Sequence, residues 1–153
     1  MASTINASVS PTTGIITTAD GTGDLSLQTN GTTALALSAG TVVNPTVKNY
    51  TESAYTANTS TALTVSLTNG TVQILTLTAN ATITMPTAGA GKSFIIILRQ
   101  DATGSRSVTW TTVNWPSGTA PTITGTASKQ DIFSFFSDGT SWYGTTIGQN
   151  YTQ

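Results

Sequence analysis

Apolar and polar side chains alternate with a period of two along most of this chain, and no long stretch keeps the three- and four-residue spacing of a helix face. The segment KSFIIILRQ (92–100) predicts a strand buried on both faces at the centre of the core. TALTVSLTNGTVQILTLT (61–78) predicts a hairpin: a two-residue Asn69-Gly70 type I′ turn would set Leu67 against Val72 and Val65 against Ile74. Leu75 and Leu77 then fall on the opposite face, so this strand must be covered on both sides or lie against another chain. A three-residue loop, Ala79 to Ala81, would bring Leu77 opposite Ile83. Farther on, a turn at Asp138-Gly139 would pair Phe135 with Trp142. Near the N-terminus, a three-residue loop from Thr29 to Gly31 gathers Leu25, Leu27, Leu35 and Leu37 on one face. The elements predict an all-β protein: an extended N-terminal β arm over residues 1–50, followed by an antiparallel β-sandwich or jelly-roll-like domain over 51–153.

Composition narrows the chemistry. Charged residues make up 7% of the chain, whereas 35 Thr and 16 Ser place a hydroxyl on one residue in three. Surface polarity must therefore come from neutral groups. With no His and no Cys, a Ser-His-Asp triad, a cysteine nucleophile, a disulfide framework and a Cys/His zinc site are all ruled out. Five Lys+Arg against six Asp+Glu offer little to a phosphate backbone, so no nucleic-acid partner is expected. The longest apolar run, Phe94 to Leu98, is too short for a membrane-spanning helix, and no basic, apolar leader opens the sequence.

The aromatic residues draw a boundary, because every Trp, Tyr and Phe lies at or beyond Tyr50. The arm has only medium-sized apolar side chains, which cannot offset about 1–2 kcal/mol of ordering entropy per residue on their own. Its order must be borrowed from neighbouring molecules. Ile15, Ile16, Leu25, Leu27, Leu35 and Leu37 are the candidate contacts to neighbouring subunits.

Motifs that could carry chemistry read better as structure. GAGKS (89–93) resembles the end of a phosphate-binding loop, but Pro86 stands where the first glycine belongs, and a strand follows instead of a helix. DGTGD (20–24) offers too few oxygens for calcium and reads as a tight turn. Seven Asn-x-Ser/Thr sites reflect Asn in turns followed by Thr in strands. No catalytic, cofactor or metal residues are assigned. Trp115, placed before Pro116, and Tyr143 are the candidate contacts to a glycan.

Two stretches carry a family likeness. GIITTADGTGDLSLQTNGTTALALSA lies in the arm; VQILTLTANATITMPTAGAGKSFIIILRQDATGSRSVTW and then VNWPSGTAPTITGTASKQDIFSFFSDGTSWYG follow in order. The chain resembles bacteriophage virion proteins of the capsid decoration (cement) and head or tail fibre kind. The resemblance implies a non-enzymatic structural protein on the outer capsid surface of the virion, a homotrimer that bridges the major capsid protein and projects a β knob. A short tail or head fibre, acting as a receptor-binding adhesin, is the alternative.

Overall fold

A computed structural model describes residues 46–153 and, ahead of them, the short strands β1 (Gln28–Thr29) and β2 (Thr32–Thr33). The chain divides into two compact units, Met1–Lys48 and Asn49–Gln153. In the first, β1 and β2 pair antiparallel, with Gln28 opposite Thr33 and Thr29 opposite Thr32. Thr29, expected in a three-residue loop from Thr29 to Gly31, is instead a strand residue paired with Thr32. The proposed contacts Ile15, Ile16, Leu25, Leu27, Leu35 and Leu37 lie outside the described residues.

The second unit is built from strands: β3 (Ala54–Thr59), β4 (Ala62–Thr64), β5 (Val72–Leu77), β6 (Ala81–Thr84), β7 (Ser93–Gln100), β8 (Val108–Thr111), β9 (Lys129–Ser137) and β10 (Trp142–Thr152). A 3-10 turn, Pro116–Gly118, interrupts the connection before β9. The all-β class is as expected, and two sheets face each other across one core. Strand direction is not as expected. The five-stranded sheet runs β10-β9-β7-β5-β3 and the three-stranded sheet β4-β6-β8, with β3, β5 and β7 parallel in one and β4, β6 and β8 parallel in the other. The chain therefore winds from one sheet to the other and back in three coils, and only β9 and β10 return antiparallel.

The hairpin predicted at Asn69-Gly70 is replaced by such a coil. A type I′ turn needs positive φ at both central residues. Here Gly70 has φ 143° and Asn69 is not in the positive region. Instead Asn69 N–H donates to the Ser66 carbonyl and Gly70 N–H to that of Leu67, turning the chain out of β4 and toward β5. The buried Gln73 amide donates to the carbonyls of Ser66 and Gly70 and so fixes that turn. Likewise β5 and β6 are not partners across Ala79–Ala81; they belong to different sheets, and a corner separates them. The corners stack: the Thr78 amide and hydroxyl both donate to the Thr59 carbonyl, at 2.9 and 2.8 Å, and the Ser107 amide donates to Asn80 Oδ1 at 3.0 Å. Polar backbone at each corner is thus satisfied by the next coil.

Alternation decides what enters the core. In β7, the third strand of five, Phe94, Ile96 and Leu98 are buried while Ile95 and Ile97 are half-buried on the outer face. This is the centre of the sheet, covered fully on one face only. Leu75 and Leu77 of β5 and Phe133 and Phe135 of β9 join that layer, and Ala81 and Ile83 of β6 oppose it. Burial of each such aliphatic or aromatic side chain is worth about 1.5–3 kcal/mol. At one side the sheets are stitched together, since Asn114 N–H donates to the Trp142 carbonyl and accepts at its own carbonyl from Gly144 N–H. At the other side, β3 and β4 are edges among the described strands.

Buried polar groups are mostly matched. The Asp131 carboxylate, 1% exposed, accepts from the Thr124 amide (2.6 Å), the Asn150 amide (2.9 Å) and Gln149 Nε2 (3.2 Å), which pins the bulged end of β10. Gln100 accepts from the Arg106 amide and donates to the Arg106 and Thr124 carbonyls. An unpaired partner in either network would cost its full desolvation.

Candidate functional site

A cluster of aromatic and polar groups lies on the outer face of the five-stranded sheet. Three neighbouring strands build it. β7 begins at Ser93, which sits across from Phe136 of β9, and Phe136 in turn sits across from Tyr143 of β10. Alternation that sends Phe94, Phe135 and Trp142 inward sends Ser93, Phe136 and Tyr143 outward. The Phe136 and Tyr143 rings stack at 5.2 Å with 21° between planes, and Phe136 remains 55% exposed. The aromatic cross-strand pair is therefore Phe136 with Tyr143, whereas the sequence pointed to Phe135 with Trp142. The loop explains the change. It has four residues, Asp138 to Ser141, because Asp138 Oδ1 accepts from the amides of Thr140 and Ser141, both at 2.8 Å, and spreads the turn.

Asp138 also accepts from the Tyr143 hydroxyl at 3.0 Å. The Ser141 and Thr140 amides, followed by that hydroxyl, hold the Asp138 carboxyl below its ordinary value of 3.8. Reciprocally, the hydrogen bond to Asp138 pushes the Tyr143 phenol above 10.0. Tyr143 is thus locked by its carboxylate partner in a defined rotamer.

One strand row away, a cleft of about 200 Å³ is lined by Glu52, Thr71, Ser93, Phe94, Ile95 and Ser134. Glu52 Oε2 accepts from the Thr71 hydroxyl at 2.6 Å, and Oε1 takes a long contact of 3.4 Å from the Tyr50 hydroxyl. Tyr50 is 67% exposed. No group of three or more acidic, His or Cys side chains suited to a metal occurs among the described residues.

Trp115, the other residue assigned to glycan contact, is placed differently. It is only 9% exposed and packs among Trp110, Phe133 and Phe135 with ring centroids 5.4 to 6.0 Å apart. Gly144 makes this seat: a Cβ there would lie 2.8 Å from Trp115 Cζ3, so only a missing side chain lets the indole in. What remains of Trp115 borders a separate cleft of about 270 Å³ with Pro116, Thr119, Pro121, Thr145 and Thr146. A Trp before a Pro reads as a loop residue in sequence, but a glycine 29 positions later in another strand decides its burial.

Trp115 and Tyr143 are therefore not brought together. No motif in the sequence marks Glu52, Thr71, Ser93, Ser134 and Phe136 as site residues. Phe136 alone carried a signal, since it falls on the opposite parity from Phe133 and Phe135 in DIFSFF.

A protein-family model described as "Putative phage tail fibre C-terminal domain" matches residues 55–142, which span both sheets from β3 to the start of β10. No curated protein and no solved structure matches the chain.

Proposed function

Because the chain belongs to the phage tail fibre C-terminal domain family, a family of virion structural proteins, we propose that it is a non-enzymatic receptor-binding adhesin at the end of a short tail or head fibre. The family match over 55–142 carries this reading, and the exposed Phe136–Tyr143 stack supports it, since an aromatic surface held rigid by Asp138 suits recognition. The match favours a fibre over the capsid decoration reading, in which the protein would bridge major capsid protein subunits on the outer shell.

The proposal includes self-association as a homotrimer. Among the described strands β3 and β4 are sheet edges, whose backbone N–H and C=O groups suit pairing with sister subunits, and this supports it. In the same reading, Ile15, Ile16, Leu25, Leu27, Leu35 and Leu37 attach the chain to those subunits or to the virion. Attachment through backbone hydrogen bonds and apolar burial would be little affected by salt.

Gold-labelled antibody against the chain tests the assignment on intact virions. Label at fibre positions, together with purified chain that blocks phage adsorption to cells, is the expected result. Label spread over the whole shell would return the protein to capsid decoration.

A further inference from the structure

We infer that the cleft between Glu52, Thr71, Ser93 and Ser134, beside which Phe136 lies across from Ser93, binds a neutral sugar residue. The inference rests on the adhesin reading and specifies its ligand. Each part of a pyranose finds a counterpart. Ring hydroxyls need acceptors and donors placed a few ångströms apart, and the lining supplies one carboxylate and three hydroxyls. The C–H face of the ring needs an aromatic plane, and Phe136 stands beside Ser93 on the same face, held by its stack on Tyr143.

Glu52 is the directing group. Its Oε2 is anchored by the Thr71 hydroxyl at 2.6 Å, which fixes the carboxylate, while among the described residues Oε1 has only the 3.4 Å contact from Tyr50. A ligand hydroxyl can therefore donate to Oε1 without displacing the anchor, in a charge-assisted hydrogen bond.

Charge selects among sugars. Among the described residues Glu52 is the only charged one in the lining, and Asp138 lies on the far side of the aromatic pair. Lys92 precedes Ser93, but its stem runs along Gly89. Acidic sugars meet repulsion with no guanidinium or ammonium among the described residues of the lining to offset it, so a neutral hexose is favoured.

The cleft is small and open, so a single site binds weakly. Several copies on one particle convert weak contacts into firm adhesion.

The test uses the full chain on a biosensor bearing dextran, mannan or galactan, with polygalacturonate as the acidic probe and labelled bacterial cells measured in parallel. Glu52→Gln and Phe136→Ala alter exposed side chains, and Thr109→Ala alters an exposed residue of the other sheet. We expect binding to a neutral polymer, weakened about 10-fold or more by either site substitution and unchanged by Thr109→Ala. Far-UV circular dichroism verifies that each variant is folded. Binding that survives both site substitutions, equal binding to polygalacturonate, or cell binding without any binding to a neutral polymer overturns the sugar site. Cell binding kept by both variants overturns the site alone, whereas no cell binding by the unaltered chain overturns the adhesin reading itself.

Discussion

The Trp142 indole N–H donates to the Pro86 carbonyl oxygen at 2.7 Å, joining the first residue of β10 to a loop 56 positions earlier. Trp142 is 2% exposed and meets Phe94 edge-on at 5.0 Å, so a single side chain links the β6–β7 loop to the aromatic core. It also borders an open cleft of about 310 Å³ formed with Met85, Thr112 and Thr140.

Replacing Trp142 by Phe keeps an aromatic ring but removes this donor and leaves the Pro86 carbonyl unpaired. A loss of about 1–3 kcal/mol is expected from the hydrogen bond. Urea unfolding measures it, and an unchanged midpoint would show that water replaces the indole at no cost.

Gly144→Ala tests the seat of Trp115. The added methyl would stand 2.8 to 3.0 Å from Trp115 Cζ3 and Cη2 and from Phe135 Cε1, all in rigid rings with little room to shift. Overpacking of this kind costs about 1–3 kcal/mol. Thermal unfolding should show it, accompanied by a change in tryptophan emission as the indole is displaced.

Stability should fall in acid. The Arg106 side chain, with Oδ2 of Asp101 at 2.9 Å from its guanidinium, lowers the Asp101 carboxyl; the Ser141 amide and its neighbours lower Asp138. Both carboxyls ionise more readily folded than at the ordinary 3.8. Their contribution is therefore complete above about pH 5 and is lost as pH falls through the folded values. Denaturant midpoints measured between about pH 5 and pH 2 should decline, and Asp138→Asn should flatten that decline. A slope identical to that of the unaltered protein would remove Asp138 from the account.

The limits of sequence reading can be traced to particular residues. Leu75, Leu77, Phe94, Ile96 and Leu98 announce a buried face because side-chain direction along a strand depends only on parity. The same parity carries no information about which strand lies next door. Leu63 and Val65 alternate identically whether β4 turns back on β5 or passes to another sheet beside β6, and the structure takes the second course. The site shows the same limit. Phe136 is marked by its parity, but Glu52, Thr71, Ser93 and Ser134 are ordinary strand and loop residues until coiling sets their segments side by side.

By itself, then, the sequence determined an all-β protein with a low-charge, hydroxyl-rich surface, and it left out His and Cys chemistry, because these follow from residue types and from period two. Tertiary structure alone decided that the strands coil in parallel, that Trp115 is buried over Gly144, and that Tyr143 pairs with Phe136. Pairing and burial of this kind depend on groups far apart in the chain, whose meeting is settled by how the whole core packs.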